Sequence, residues 1–174
     1  MTTDKIDYII GIDPDVDRSG IALLNVGLRK LEEVQALPFP ETLEYLRLTY
    51  RRMRVKELRM LVVIEAGWLN KSHWHLTPHD NKQAAAAKGN ATGRNHETGR
   101  KLVEMLRYWQ IPCAECRPLA LKVGGCHLWK GRDGKITAEE LKRVTEYARR
   151  TNQEGRDAAL LAWSYAGMPI RCRL

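Results

Sequence analysis

No apolar run in this sequence approaches the roughly 18 residues that span a bilayer, and the opening MTTDKID has no apolar h-region. A membrane helix and an export signal are therefore not expected, and the expected location is the cytoplasm. Cysteine is sparse, with four in 174 residues. Without an export signal these are expected as thiols rather than disulfides. Cys113, Cys116, Cys126 and His127 resemble a zinc set only faintly, because "IPCAEC" reads as a strand. Residues three apart on a strand face opposite ways, so that pair would need a turn to share a metal. No internal repeat and no second domain is visible, so residues 1–174 read as one domain with a single core.

What is present is a soluble composition with a strong sign. Hydrophobic residues make up 44% and charged residues 29%, ordinary for a globular chain. The net charge is +8. A basic domain of this size suits a polyanionic partner, nucleic acid above all, or else simply has a basic surface.

Apolar patterning gives the order β-β-β-α-β-α-β-α-α. "IDYIIGI" (6–12) and "SGIALLNV" (19–26) read as strands around a turn marked by Pro14 and Gly20. "RKLEEVQAL" (29–37) is expected as a third strand, making an antiparallel meander. Residues 41–58 carry Leu43, Leu46, Tyr50 and Met53 at helical spacing. The other face of that helix holds Arg47, Arg51, Arg52, Arg54 and Lys56, a solvated face or a phosphate contact. "MLVVIE" (60–65) reads as a strand buried on both faces. Residues 68–95 show little periodicity and are expected to form a long mobile loop, with at most a nascent helix at the Ala run. Helix resumes near 96–109, a strand follows at "IPCAEC", and Thr137 with Glu140 forms a capping box. The last helix, 155–167, is nearly all apolar and should be buried.

Three acids sit where apolar patterns stop: Asp13, Glu65 and Asp157. Each alone has an ordinary reading as a turn residue, a strand end or a helix-dipole partner. If the strands 6–13 and 60–65 are parallel neighbours, Asp13 and Glu65 emerge at one sheet edge. The last helix can bring Asp157, and Glu154 one turn before it, to the same place. Clustered carboxylates raise one another's pKa unless a cation lies among them, and Mg2+ or Mn2+ suits an all-oxygen set. Two such ions about 4 Å apart are the usual device for cutting phosphodiesters.

"GIDPDVDRSGIALL", "VVIEAGW" and "EGRDAALLAW" together resemble the ribonuclease H-like superfamily, and within it the RuvC-like Holliday junction resolvases. The resemblance covers most of the chain. It implies an α/β fold with a mixed five-stranded sheet, the three-strand meander plus parallel strands, flanked by helices. It implies a homodimer that hydrolyses branched DNA with two Mg2+ or Mn2+ ions. Asp13, Glu65 and Asp157 carry over as catalytic metal ligands, with Glu154 as a fourth where the family more often has Asp or His. Trp68 falls where family members can place a base-unstacking aromatic, or is a core residue. Lys122, Lys130 and Lys135 match a lysine-bearing segment that meets phosphate, or are solvent lysines. Lys71 and Arg94 in the 68–95 segment, and the basic helix face of 47–59, are further candidates for DNA contact. Asp15 replaces the family's usual Gly, and residues 70–94 run longer than in bacterial resolvases. Rival readings are a ribonuclease H-fold nuclease with another DNA or RNA substrate, an actin-like phosphate loop, and an inactive nucleic-acid-binding module.

Overall fold

The computed structural model describes residues 5–70, 81–120 and 122–170. The main strands are β1 (Tyr8–Asp13), β2 (Ser19–Asn25), β3 (Lys30–Leu37), β4 (Met60–Glu65) and β5 (Cys113–Cys116). They form one sheet in the order β3-β2-β1-β4-β5. β2 is antiparallel to both β1 and β3, whereas β1–β4 and β4–β5 are parallel. The expected meander and parallel strands are both present. Only β2 runs against the other four, which is the ribonuclease H-like arrangement of an α/β sheet.

Four helices cover the sheet: α1 (Phe39–Val55), α2 (Lys82–Tyr108), α3 (Ala138–Thr145) and α4 (Gln153–Tyr165). Side-chain alternation along β1 explains how they divide between the faces. Ile10 and Ile12 point into a cluster with Leu46 and Met53 of α1 and Leu102, Val103 and Leu106 of α2. Ile9 points the other way, into a cluster with Ala158, Ala159 and Ala162 of α4 and Leu141 of α3. Both faces of β1 and β4 are thus buried, which is why these strands read as continuous apolar runs. Among the described residues, no helix is long and apolar enough to cross a membrane.

Local chemistry sets the helix ends. Pro38 precedes α1, Pro40 lies in its first turn, and the chain leaves the helix through Glu57 at φ 56°. Thr137 and Glu140 form the expected capping box at α3. Asn152 accepts the Gly155 N–H at 3.0 Å and starts α4 at Gln153, two residues before the expected start.

One expectation is corrected. Residues 82–95 of the expected 68–95 loop form the first half of α2, capped by Asn81, which accepts the Ala84 N–H at 2.8 Å, and residues 71–80 of that segment lie outside the described residues. The helix begins well before the expected residue 96. Gly67–Leu69 form a single 3-10 turn.

Close approach of α4 to the sheet depends on two glycines. A Cβ on Gly11 would collide with the Ala158 carbonyl oxygen, and one on Gly20 with the Glu154 carbonyl. Without side chains there, the α4 backbone lies directly on β1 and β2.

Candidate active site

Asp13 ends β1 and Glu65 ends β4, and the register Ile12↔Ile64 makes them neighbours on adjacent parallel strands. Counting alternately from Ile9 and Val63, both carboxylates face the α4 side of the sheet. α4 crosses that face and brings Asp157, in its second turn, to the same edge. All three line one pocket of about 310 Å³, together with Asp15, Glu154 and Lys135. Trp68, Thr92, Asn95, His96, Pro118 and Leu119 also line it.

The electrostatics of this edge are strained. Burial pushes the Asp13 carboxyl well above its ordinary range; the charges of Glu65 and Asp157 add to this and Lys135 offsets part. Glu65 is pushed up to about 7, by burial first and then by Asp157. The cation of the cluster is Lys135, whose Nζ donates to Asp157 Oδ2 at 2.6 Å. Burial alone would lower the lysine's pKa, but Asp157, Asp13 and Glu65 more than reverse that. Gln153 donates from Nε2 to the other Asp157 oxygen at 2.7 Å. Asp157 is therefore oriented by two donors, while Asp13 and Glu65 share the pocket floor.

The donor chemistry at this edge is all oxygen and anionic, which fits a hard divalent cation better than a soft one. Among the described residues, no three His, Cys, Asp or Glu side chains form a ready-made metal cage.

The remaining expected site residues are dispersed. Glu154 lies in the first turn of α4 and reaches the pocket. Lys122 and Lys130 are exposed away from it; Lys122 sits on a small hairpin of β6 (Lys122–Val123) and β7 (Cys126–His127). Of the three lysines expected to meet phosphate, Lys135 alone lines the pocket. Arg94 is exposed on α2, and Lys71 lies outside the described residues. The basic end of α1 points away from the carboxylates. β3 ends at Leu37 beside Ser19, at the carboxylate edge, and α1 then runs its 17 residues, about 25 Å, toward the start of β4. Cys113 packs on the α1–α2 side of the sheet and Cys116 on the α4 side, so the two do not share a ligand.

Trp68 is held in place rather than projecting freely. Its Nε1 donates to Glu115 Oε2 at 3.0 Å, and Glu115 accepts from Arg107 at 2.7 Å. The Arg100 guanidinium lies 5.6 Å from the ring centroid and His96 meets the ring edge-on at 6.1 Å. Glu115→Ala should leave the indole N–H without its acceptor and cost about 1–2 kcal/mol in thermal unfolding. Arg107→Ala, at a solvent-exposed ion pair, should cost less than about 1 kcal/mol. Equal losses in the two variants would show that the ion pair, not the indole bond, fixes Trp68.

Sequence reasoning missed Gln153 and Asn95. Gln153 stands four residues before Asp157 and would have been legible once Asn152 was taken as the cap. Asn95 accepts the Val16 N–H and donates to Asp15 Oδ2, pinning the β1–β2 turn to α2 across 80 residues. Asp15 also accepts the N–H groups of Asp17 and Arg18, so it acts as a turn residue.

Strand order and the reversed β2 fit a ribonuclease H-like α/β fold. Among solved structures it is similar to Thermus thermophilus RuvC in complex with a Holliday junction substrate. That likeness has 14% identity, a TM-score of 0.42, and covers 91% of this chain and 92% of that one. It is also similar to a second Thermus thermophilus RuvC structure, with 15% identity, a TM-score of 0.45, and 92% and 97% of the two chains covered. No family model and no curated protein matches the chain.

Proposed function

We propose that this chain is a metal-dependent endonuclease of branched DNA, of the Holliday junction resolvase kind, acting as a homodimer. One observation carries the reading: Asp13, Glu65 and Asp157 come from three separate elements to line one pocket. Three acids sharing a partly buried edge are unfavourable unless cations lie among them, so their convergence needs a reason. Asp13, Glu65, Asp157 and Glu154 would hold Mg2+ or Mn2+, which supplies an activated water and stabilises the leaving oxygen. Lys135 stands where its ammonium can meet a phosphate oxygen, and Gln153 keeps Asp157 turned toward the pocket. The +8 net charge favours a polyanionic substrate.

A second reading follows from the Lys135–Asp157 pair. If the ammonium replaces a metal, the chain binds branched DNA without cutting it. A nicking assay decides between them, using a labelled four-way junction and the matching linear duplex with Mg2+ or Mn2+. Symmetric paired nicks on the junction alone are the expected result. Cutting of both substrates would leave a general nuclease. Tight junction binding without any cutting would leave the binding module.

A further inference from the structure

The first half of α2 has no fully buried residue, and it carries charge of one sign. From Asn81 to His96 there is no acidic residue, while Lys82, Lys88 and Arg94 are all exposed. A Cβ added at Gly89 or Gly93 would meet nothing within 4 Å. The packed part of the helix begins at Asn95 and His96, where His96 meets the Trp68 ring, and continues through Gly99, Leu102, Val103 and Leu106. Asn95 ties the helix to the β1–β2 turn, at the carboxylate edge. Everything before it therefore continues past that edge. Lys82 lies thirteen residues, about 20 Å, beyond Asn95 along the helix.

Such a segment has little reason to be helical by itself. Gly89, Asn90, Thr92 and Gly93 are poor helix formers, and no residue from 82 to 94 is fully buried against the described residues. A partner would supply packing that the described residues do not. The charge selects a polyanion, and Thr92, Asn95 and His96 make the segment continuous with the pocket wall.

We propose that residues 82–94 form a rigid arm that lies along duplex nucleic acid next to the scissile site, with Lys82 and Lys88 on backbone phosphates. The proposal rests on the nuclease reading for its orientation, but its contact with duplex stands separately. At 3.4 Å per base pair, Lys82 reaches about six base pairs from the point where Asn95 is anchored.

The test is binding of the full chain to fluorescent 20-base-pair duplex, without divalent cation, between 50 and 200 mM salt. A Lys82→Gln/Lys88→Gln double variant removes two phosphate contacts and should lower the salt slope by about 1.8. Wild type should thus lose about 12-fold more affinity than the variant over that range. Gly89→Pro, which breaks the arm but keeps both charges, should also weaken binding. An unchanged salt slope would overturn the proposal. A shift from dimer to monomer in either variant would overturn it too, by assigning the arm to a second copy of the chain. If wild type never cuts a junction but the slope still falls, the nuclease reading fails and the arm stands.

Discussion

Asp13→Asn is expected to abolish metal-dependent cleavage and, in buffer free of divalent cations, to make the fold more stable. The two effects have one origin. Asp13 and Glu65 hold their protons more tightly folded than unfolded, because burial and neighbouring acids oppose their charge. With a folded pKa above the unfolded one, their contribution is fully present below the ordinary carboxylate range. It is lost as pH rises through the folded value, from the usual 4.5 to about 7 for Glu65. At pH 8 the metal-free site is thus destabilising, by something on the order of 1–3 kcal/mol. An amide of the same shape removes one charge and relieves its neighbour. For a chain of this size the variant should melt about 2–8 °C higher than wild type at pH 8 in chelator, and close to it at pH 5. Mg2+ or Mn2+ should raise the melting temperature of wild type and leave the variant nearly unmoved. On the proposed reading cleavage should fall by about a thousandfold or more, since Asp13 would be lost as a holder of the cations that stabilise the reacting phosphate. A variant that melts below wild type at pH 8 would show that these acids do not repel one another in the folded chain.

The placement of Asp13 and Glu65 was legible because apolar runs stop on them. A strand buried on both faces leaves no other place for a carboxylate than its end, and two such strands in parallel put two acids at one edge. The capping box at Thr137 was legible for a similarly local reason. The first half of α2 was not. Helical periodicity is a record of one face buried against something, and residues 82–94 bury no such face against the described residues. Their two glycines consequently read as loop, and only the Ala run hinted at a nascent helix. Nor could sequence reveal the Trp68–Glu115 bond, which links residues 47 apart, or Asn95 reaching the β1–β2 turn. Such pairs are made by folding rather than by spacing. Lys135 lay in between: its segment was expected to meet phosphate, but its direct partnership with Asp157 depends on how α4 crosses the sheet.

That crossing is the most vulnerable part of the site. Gly20→Val and Gly11→Val should each lose cleavage far beyond their loss of stability. At both positions the atoms that a Cβ would meet include α4 backbone, the Glu154 and Ala158 carbonyls, not the ends of flexible side chains. Rotamer changes cannot relieve such a clash, so α4 must lift or tilt. Ala158, Ala159 and Ala162 keep that helix close to the sheet, and lifting it also opens gaps in the core they share with Ile9 and Val63. Overpacking of this kind typically costs about 1–3 kcal/mol, which a chain of 174 residues can survive. The site is less tolerant. Glu154 and Asp157 ride on the displaced segment, and a shift of about 1 Å at reacting groups can cost about a hundredfold. Gly27→Ala is the control, because its Cβ would meet only the Asn25 side chain at an ordinary 3.7 Å. The measurement pairs thermal melts with junction nicking at a temperature where each variant is fully folded. Folded Gly20→Val protein that cuts as well as wild type would mean that α4 does not set the position of the acids.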